Sequence, residues 1–224
     1  MADNPALIAA AHGTRSPAGR AAIAALRTAV ATARPGLDVV EAYVDEDVQR
    51  PGLAEVLDGA GPAVVVPVLL SAGYHVHHDI ARAVAGHEAV AARPLGPDGA
   101  LVDVLAERLA GIDGHDIVLA AAGSSDERAG EDVRWTAARL GERLGCDVTA
   151  TFVTADVPRV AEVVADLIGL GRRVAVASYV LAPGHFHDEL ASLPADVVTG
   201  PLLPDERIAE LVLRRYDEMA QVLS

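Results

Sequence analysis

The sequence predicts an α/β protein of two similar domains, each a parallel four-stranded sheet flanked by helices, that arose by internal duplication. Three observations carry this expectation. Apolar runs of strand length alternate with longer amphipathic stretches along the chain. Each run is nearly continuous rather than alternating, as suits strands buried on both faces of a parallel sheet. Four segments of the first half also recur in the second half, in the same order and at an almost constant offset.

Taken in order, the strands are expected at 6–11, 37–44, 63–70 and 88–92, then at 116–122, 147–153, 173–181 and 195–199. Helices are expected at 17–33, 52–59, 77–86, 98–110, 127–144, 157–169, 187–192 and 205–222. In the first helix Ile23, Leu26 and Val30 follow the three-then-four spacing of a buried stripe. Strict alternation of strand and helix implies right-handed crossovers and an open parallel sheet.

The repeat pairs Ile8–Thr14 with Val118–Ser124 and Asp38–Asp45 with Asp147–Thr154. It also pairs Leu70–Gly73 with Leu181–Gly184, and Arg93–Asp98 with Gly200–Asp205. The join falls near Ala110–Gly114, which gives domains at 1–112 and 113–224. Residues on which the copies agree are expected to serve the fold: Gly13 and Gly123, Tyr43 and Phe152, Pro94 and Pro201. Where they differ, the first copy holds the reactive residue. His12 faces Ala122, Asp45 faces Thr154, and His75 faces Phe186, or His185 if the turn is shifted by one.

Composition narrows the chemistry. Aromatic residues are only 3% of the chain, so Val, Leu, Ile and Ala must fill the core. No apolar run approaches the roughly 20 residues of a membrane span, and Met1–Pro5 lacks the basic flank of a signal peptide. The one cysteine, Cys146, excludes an internal disulfide or a cysteine metal cluster. It suits a reducing cytoplasm and is expected to be a small residue beside a buried strand. The net charge of −14 disfavours nucleic acid as a partner. All 18 basic residues are arginines. Without lysine the chain has neither the phosphate-gripping lysine of a P-loop nor the amine for Schiff-base catalysis.

His12, Asp45 and His75 each follow a predicted strand. Ligands of open parallel sheets bind outside the carboxyl ends of the strands. Taken alone, His12 reads as a turn residue; its replacement by Ala122 in an otherwise similar copy marks it as functional. Two imidazoles and a carboxylate suit Fe²⁺, Co²⁺, Ni²⁺ or Zn²⁺, and the same groups accept protons near neutral pH. Glu41 and Glu46 lie close by in sequence. In Gly73–Asp79, a helix beginning near Tyr74 would place His75 and His78 on one face and turn His77 elsewhere. His185 and His187 repeat the theme more weakly, His187 reading as a turn residue. His87 and His115 receive no role.

These residues resemble the sirohydrochlorin chelatase (CbiX/SirB) family of class II, ATP-independent tetrapyrrole chelatases, in its long two-domain form. The likeness lies in Ala11–Arg15, in Glu41–Asp45 and in Leu70–Ile80, the last being the most specific, and with the duplication it covers most of the chain. The resemblance implies insertion of Fe²⁺ or Co²⁺ into sirohydrochlorin, for siroheme or cobalamin, with no cofactor beyond the substrate metal. It implies that His12 and His75 are the active pair and that the macrocycle enters between the domains. The family's acidic position holds Glu where this chain has Asp45, so the third ligand stays open between Asp45, Glu46 and Glu41. Arg15, Ser71, Gly73 and Tyr74 are expected to bind the substrate, with Arg20 and Arg128 as further candidates for its carboxylates. The net negative charge works against an anionic ligand at long range. A monomer or a homodimer would serve. A carrier of Co²⁺ or Ni²⁺ needs the same ligands without the macrocycle. A histidine phosphatase would need an arginine before the histidine, where this chain has Ala11.

Overall fold

Each apolar run forms a strand and each amphipathic stretch a helix, in the predicted order. The computed structural model describes residues 4–71, 73–154 and 157–223, with the side chains of all of these except residues 74–77. The first copy comprises β1 (Ala6–Ala11), α1 (Pro17–Ala33), β2 (Val39–Tyr43), α2 (Leu53–Gly59), β3 (Ala63–Pro67), α3 (Tyr74–Val84), β4 (Ala89–Ala91) and α4 (Gly99–Arg108). The second comprises β5 (Asp116–Ala121), α5 (Glu127–Leu144), β6 (Val148–Phe152), α6 (Val160–Gly169), β7 (Val174–Tyr179), α7 (His185–Ala191), β8 (Val197–Val198) and α8 (Glu206–Ala220). The sheets run β2-β1-β3-β4 and β6-β5-β7-β8, with every pairing parallel.

Local chemistry sets the helix starts. Ser16, Asp98, Asp126 and Asp205 are N-caps whose side chains accept from backbone N–H groups of the first turn. Some boundaries move. β3 ends at Pro67 rather than 70, because the carbonyl of Leu69 turns to accept the N–H of Leu95 (3.0 Å). α3 and α7 start at Tyr74 and His185, earlier than expected, on the N-caps Gly73 and Gly184. Their first turns are histidine-rich and lack the apolar spacing that reveals a helix. α6 starts later, at Val160, since Pro158 still pairs with Phe152 (3.1 Å). Cys146 is exposed rather than tucked against a strand.

The central strands carry the core. Ile8, Ala10, Ala42 and Val65 pack with Leu53, Leu57 and Ile80 on one face of the first sheet. Val118, Ala120 and Val176 pack with Val160, Val164 and Leu190 on the matching face of the second.

The compact units do not follow the repeat boundary at 112/113. One unit is the chain up to Leu95 together with Pro204 onward, and the other is Gly96–Leu203. Helix α8, from the second copy, packs on α1 and β3, whereas α4, from the first, packs on α5 and β7. An arginine on each of these helices ties it in. Arg215, wholly buried, donates from Nε to Pro94 O (2.9 Å) and from Nη2 to Leu95 O (3.0 Å). Arg108 on α4 makes the corresponding bond from Nη2 to Leu202 O (2.9 Å).

Candidate functional site

The first sheet brings the predicted residues to one edge. In register, Ala11 lies opposite Tyr43, and Ala10 lies opposite Pro67 on the other side. The β1–β2 ladder continues past the strand ends: Val44 N–H donates to Ala11 O (2.9 Å), and Asp45 N–H donates to His12 O (3.0 Å). His12 and Asp45 are therefore hydrogen-bonded neighbours at the carboxyl edge, His12 exposed and Asp45 half-buried.

Gly13 follows with φ +105°, in the left-handed region that favours glycine. A methyl there would also lie 3.3 Å from Asp45 O. Thr14 Oγ1 accepts the Ser16 N–H (3.1 Å), and Ser16 Oγ accepts the Gly19 N–H (3.2 Å), which starts α1. Arg20 Nε donates to Thr14 O (2.8 Å), so one candidate for the substrate's carboxylates is engaged in holding this loop. On the other side Gln49 Oε1 accepts the Thr14 N–H (3.2 Å). Arg15 is exposed and makes no ion pair among the described residues.

His75 is the second residue of α3, which follows β3 on the side of β1 away from β2. Its side chain, like those of Tyr74 and His77, lies outside the described set. His78 is the fifth residue of the same helix. His78 Nδ1 is 3.3 Å from Arg82 Nη2. Ser71 is half-buried ahead of this turn, and Gly73 is its N-cap. Among the described residues no three His, Cys, Asp or Glu side chains already form a metal-holding group.

The acidic alternatives are placed differently. Glu41 sits two residues inside β2, opposite Ala9, and its carboxylate is ion-paired with Arg27 and accepts from Tyr43 OH (3.1 Å). Glu46 leans over Gly52, the N-cap of α2; a methyl at 52 would lie 2.6 Å from its Oε2. Of the three, Asp45 is the one hydrogen-bonded to His12.

In the second copy the same edge is closed on itself. Thr154 donates from both its N–H and its Oγ1 to Ala122 O, each at 2.9 Å. Gly184 matches Gly73 as an N-cap, which puts Phe186 at the place of His75. His187 Nδ1 bonds the buried Ser178 Oγ (3.1 Å), a structural role, and His185 faces Glu189 on its own helix (3.6 Å). Arg128 is an exposed residue in the first turn of α5, its N–H bonded to Asp126.

Sequence reasoning passed over Gln49. The readable signal was length: the segment from Tyr43 to its bridge partner Gly52 is two residues longer than that from Phe152 to Arg159.

Comparison with known proteins agrees with the fold. The CbiX family matches the chain twice, over residues 6–112 and 116–219. No curated protein matches it. Among solved structures, SirB from Bacillus subtilis with Fe³⁺ superposes with a TM-score of 0.80 at 23% identity, covering 97% of this chain and 96% of that one. The sirohydrochlorin chelatase SirB from Bacillus subtilis subspecies spizizenii in complex with cobalt superposes with a TM-score of 0.76 at 19% identity, over 97% and 96% of the two chains. CbiX, described as the terminal enzyme for biosynthesis of siroheme in denitrifying bacteria, gives 0.69 at 22% identity, over 96% and 98%. At these identities the structures speak for the fold, and the family rests on the doubled match: this chain belongs to the CbiX family.

Proposed function

We propose that the chain is a sirohydrochlorin chelatase that inserts a divalent metal, Fe²⁺ before Co²⁺, into the macrocycle without ATP. The observation that carries this is the backbone pairing of His12 with Asp45 at the sheet edge where the helix of His75 begins. His12 and His75 receive the metal, with Asp45 as the third ligand. Glu41 is engaged by Arg27 and Tyr43, and Glu46 points to α2. An imidazole–carboxylate set accepts both iron and cobalt, and metal supply settles such choices in cells. The solved relatives with Fe³⁺ and with cobalt support metal handling on this fold.

The reaction balances without a cofactor. The metal passes from the protein ligands to the four pyrrole nitrogens, and two N–H protons leave. As each ligand loses the metal it becomes a base, so His12, His75 and Asp45 take up those protons. Arg15, with no competing ion pair among the described residues, meets a substrate carboxylate. Ser71, Gly73 and Tyr74 belong to the substrate-binding set, and the reaction runs in the cytoplasm.

The test is anaerobic mixing of the protein with sirohydrochlorin and Fe²⁺ or Co²⁺, followed by the macrocycle's absorption. Acceleration over the uncatalysed rate is expected, and its loss in His12→Ala and in His75→Ala. No acceleration with either metal, alongside tight metal binding, would favour a metal carrier instead.

A further inference from the structure

Four backbone and side-chain bonds form a closed circuit around the first-copy edge. His12 O accepts from Asp45 N–H (3.0 Å), and Asp45 O accepts from Gln49 N–H (3.0 Å) and Val48 N–H (3.1 Å). Gln49 Oε1 then accepts from Thr14 N–H (3.2 Å), two residues beyond His12. The stem of Gln49 also covers Gly13, its Cβ lying 3.5 Å from where a methyl on that glycine would stand. The geometry points to Gln49 as a positioning residue that locks the His12 loop to the turn carrying Asp45, and so sets the spacing of the two metal-facing groups.

Two features support this role over simple loop packing. Gln49 supplies the acceptor for the Thr14 N–H, directly after the φ +105° turn at Gly13. The second copy, which has Ala122 at the place of His12, has the shorter loop and closes the same edge through Thr154 Oγ1. The longer segment that carries Gln49 thus accompanies the histidine.

The inference rests on the proposed metal site, and its test separates the two. Co²⁺ is titrated into the full-length protein and followed by its visible absorption, beside steady-state metallation of sirohydrochlorin. Gln49→Leu removes the acceptor, and Gln49→Asn withdraws it by one carbon. Each should weaken Co²⁺ binding by about 10-fold or more, as losses of residues supporting metal ligands do. Each should lower kcat while KM for sirohydrochlorin stays within about twofold, since the macrocycle's own contacts are untouched. Gln49→Glu keeps an oxygen at the same reach and should stay within about threefold of the wild type in Co²⁺ binding. The Asn variant, which keeps the amide, carries the test should the Leu variant fail to fold. Wild-type Co²⁺ binding in the Asn variant overturns the role of Gln49, as does a Glu variant that binds as weakly as the Asn one. His12→Ala is the control for the site itself. If it binds Co²⁺ like the wild type, the site assignment fails and the role of Gln49 fails with it. If it loses Co²⁺ while the Gln49 variants do not, only the role of Gln49 fails.

Discussion

Gly13 and Gly123 occupy the same turn in the two copies, at φ +105° and +93°, yet they tolerate a side chain differently. A methyl on Gly13 would meet Asp45 O at 3.3 Å, a contact that a small shift relieves, whereas one on Gly123 would overlap the carbonyl of Thr154 outright. Gly13→Ala should cost about 1–2 kcal/mol for the left-handed backbone alone. Gly123→Ala should cost more, and urea unfolding of the two variants side by side checks the order. His187→Ala deprives the buried Ser178 hydroxyl of its partner and should lower stability by about 1 kcal/mol while leaving the metallation rate nearly unchanged. Asp196 gives the pH dependence. The Val174 N–H (2.8 Å) foremost, with Arg173 and His115, holds its carboxyl below the usual range. The folded state therefore gains from this group above the ordinary aspartate range and loses that gain as the pH falls through the depressed value. Asp196→Asn should flatten the acid-side fall in Tm.

At the scale of elements, the helices decide more than their sequence periodicity shows. α8 is held to the segment after β4 by the Arg215 guanidinium, which lies entirely inside the protein, and by Arg93 pairing with Glu218 (3.2 Å). Arg215 also meets Glu218 at 3.2 Å. Arg215→Met keeps the apolar stem but leaves the carbonyls of Pro94 and Leu95 without this donor, and should cost about 2–4 kcal/mol. Thermal melting would read this loss. The histidine-rich start of α3 was half legible: the spacing of its histidines allowed a helix beginning near Tyr74, and α3 begins there. Its boundary was less legible, because polar first turns carry no apolar stripe and glycine N-caps have no side chain to announce them.

For the whole molecule, the duplication was plain in the sequence because strand runs and turn glycines recur at near-constant offset. The exchange of α4 and α8 between the units was not, since both copies end in a similar amphipathic helix and periodicity says nothing of which sheet it covers. A chain of residues 1–112 is complete by the repeat yet lacks the helix that covers α1 and β3. It should fail to fold cooperatively, whereas adding 204–224 as a separate peptide should restore helical signal and a cooperative melt. Circular dichroism of the fragment with and without the peptide checks this.

The sequence by itself determined the strands and their order of appearance, the duplication, and the copy that holds His12, Asp45 and His75. These are matters of local pattern and of comparison between two copies in one chain. Tertiary structure decided the rest. It engaged Glu41 with Arg27, turned Glu46 toward α2, joined Asp45 to His12, and brought Gln49 to the N–H of Thr14 across the loop. Those outcomes depend on the reach of side chains between elements distant in sequence, and on which faces are left to bury, neither of which leaves a periodic trace.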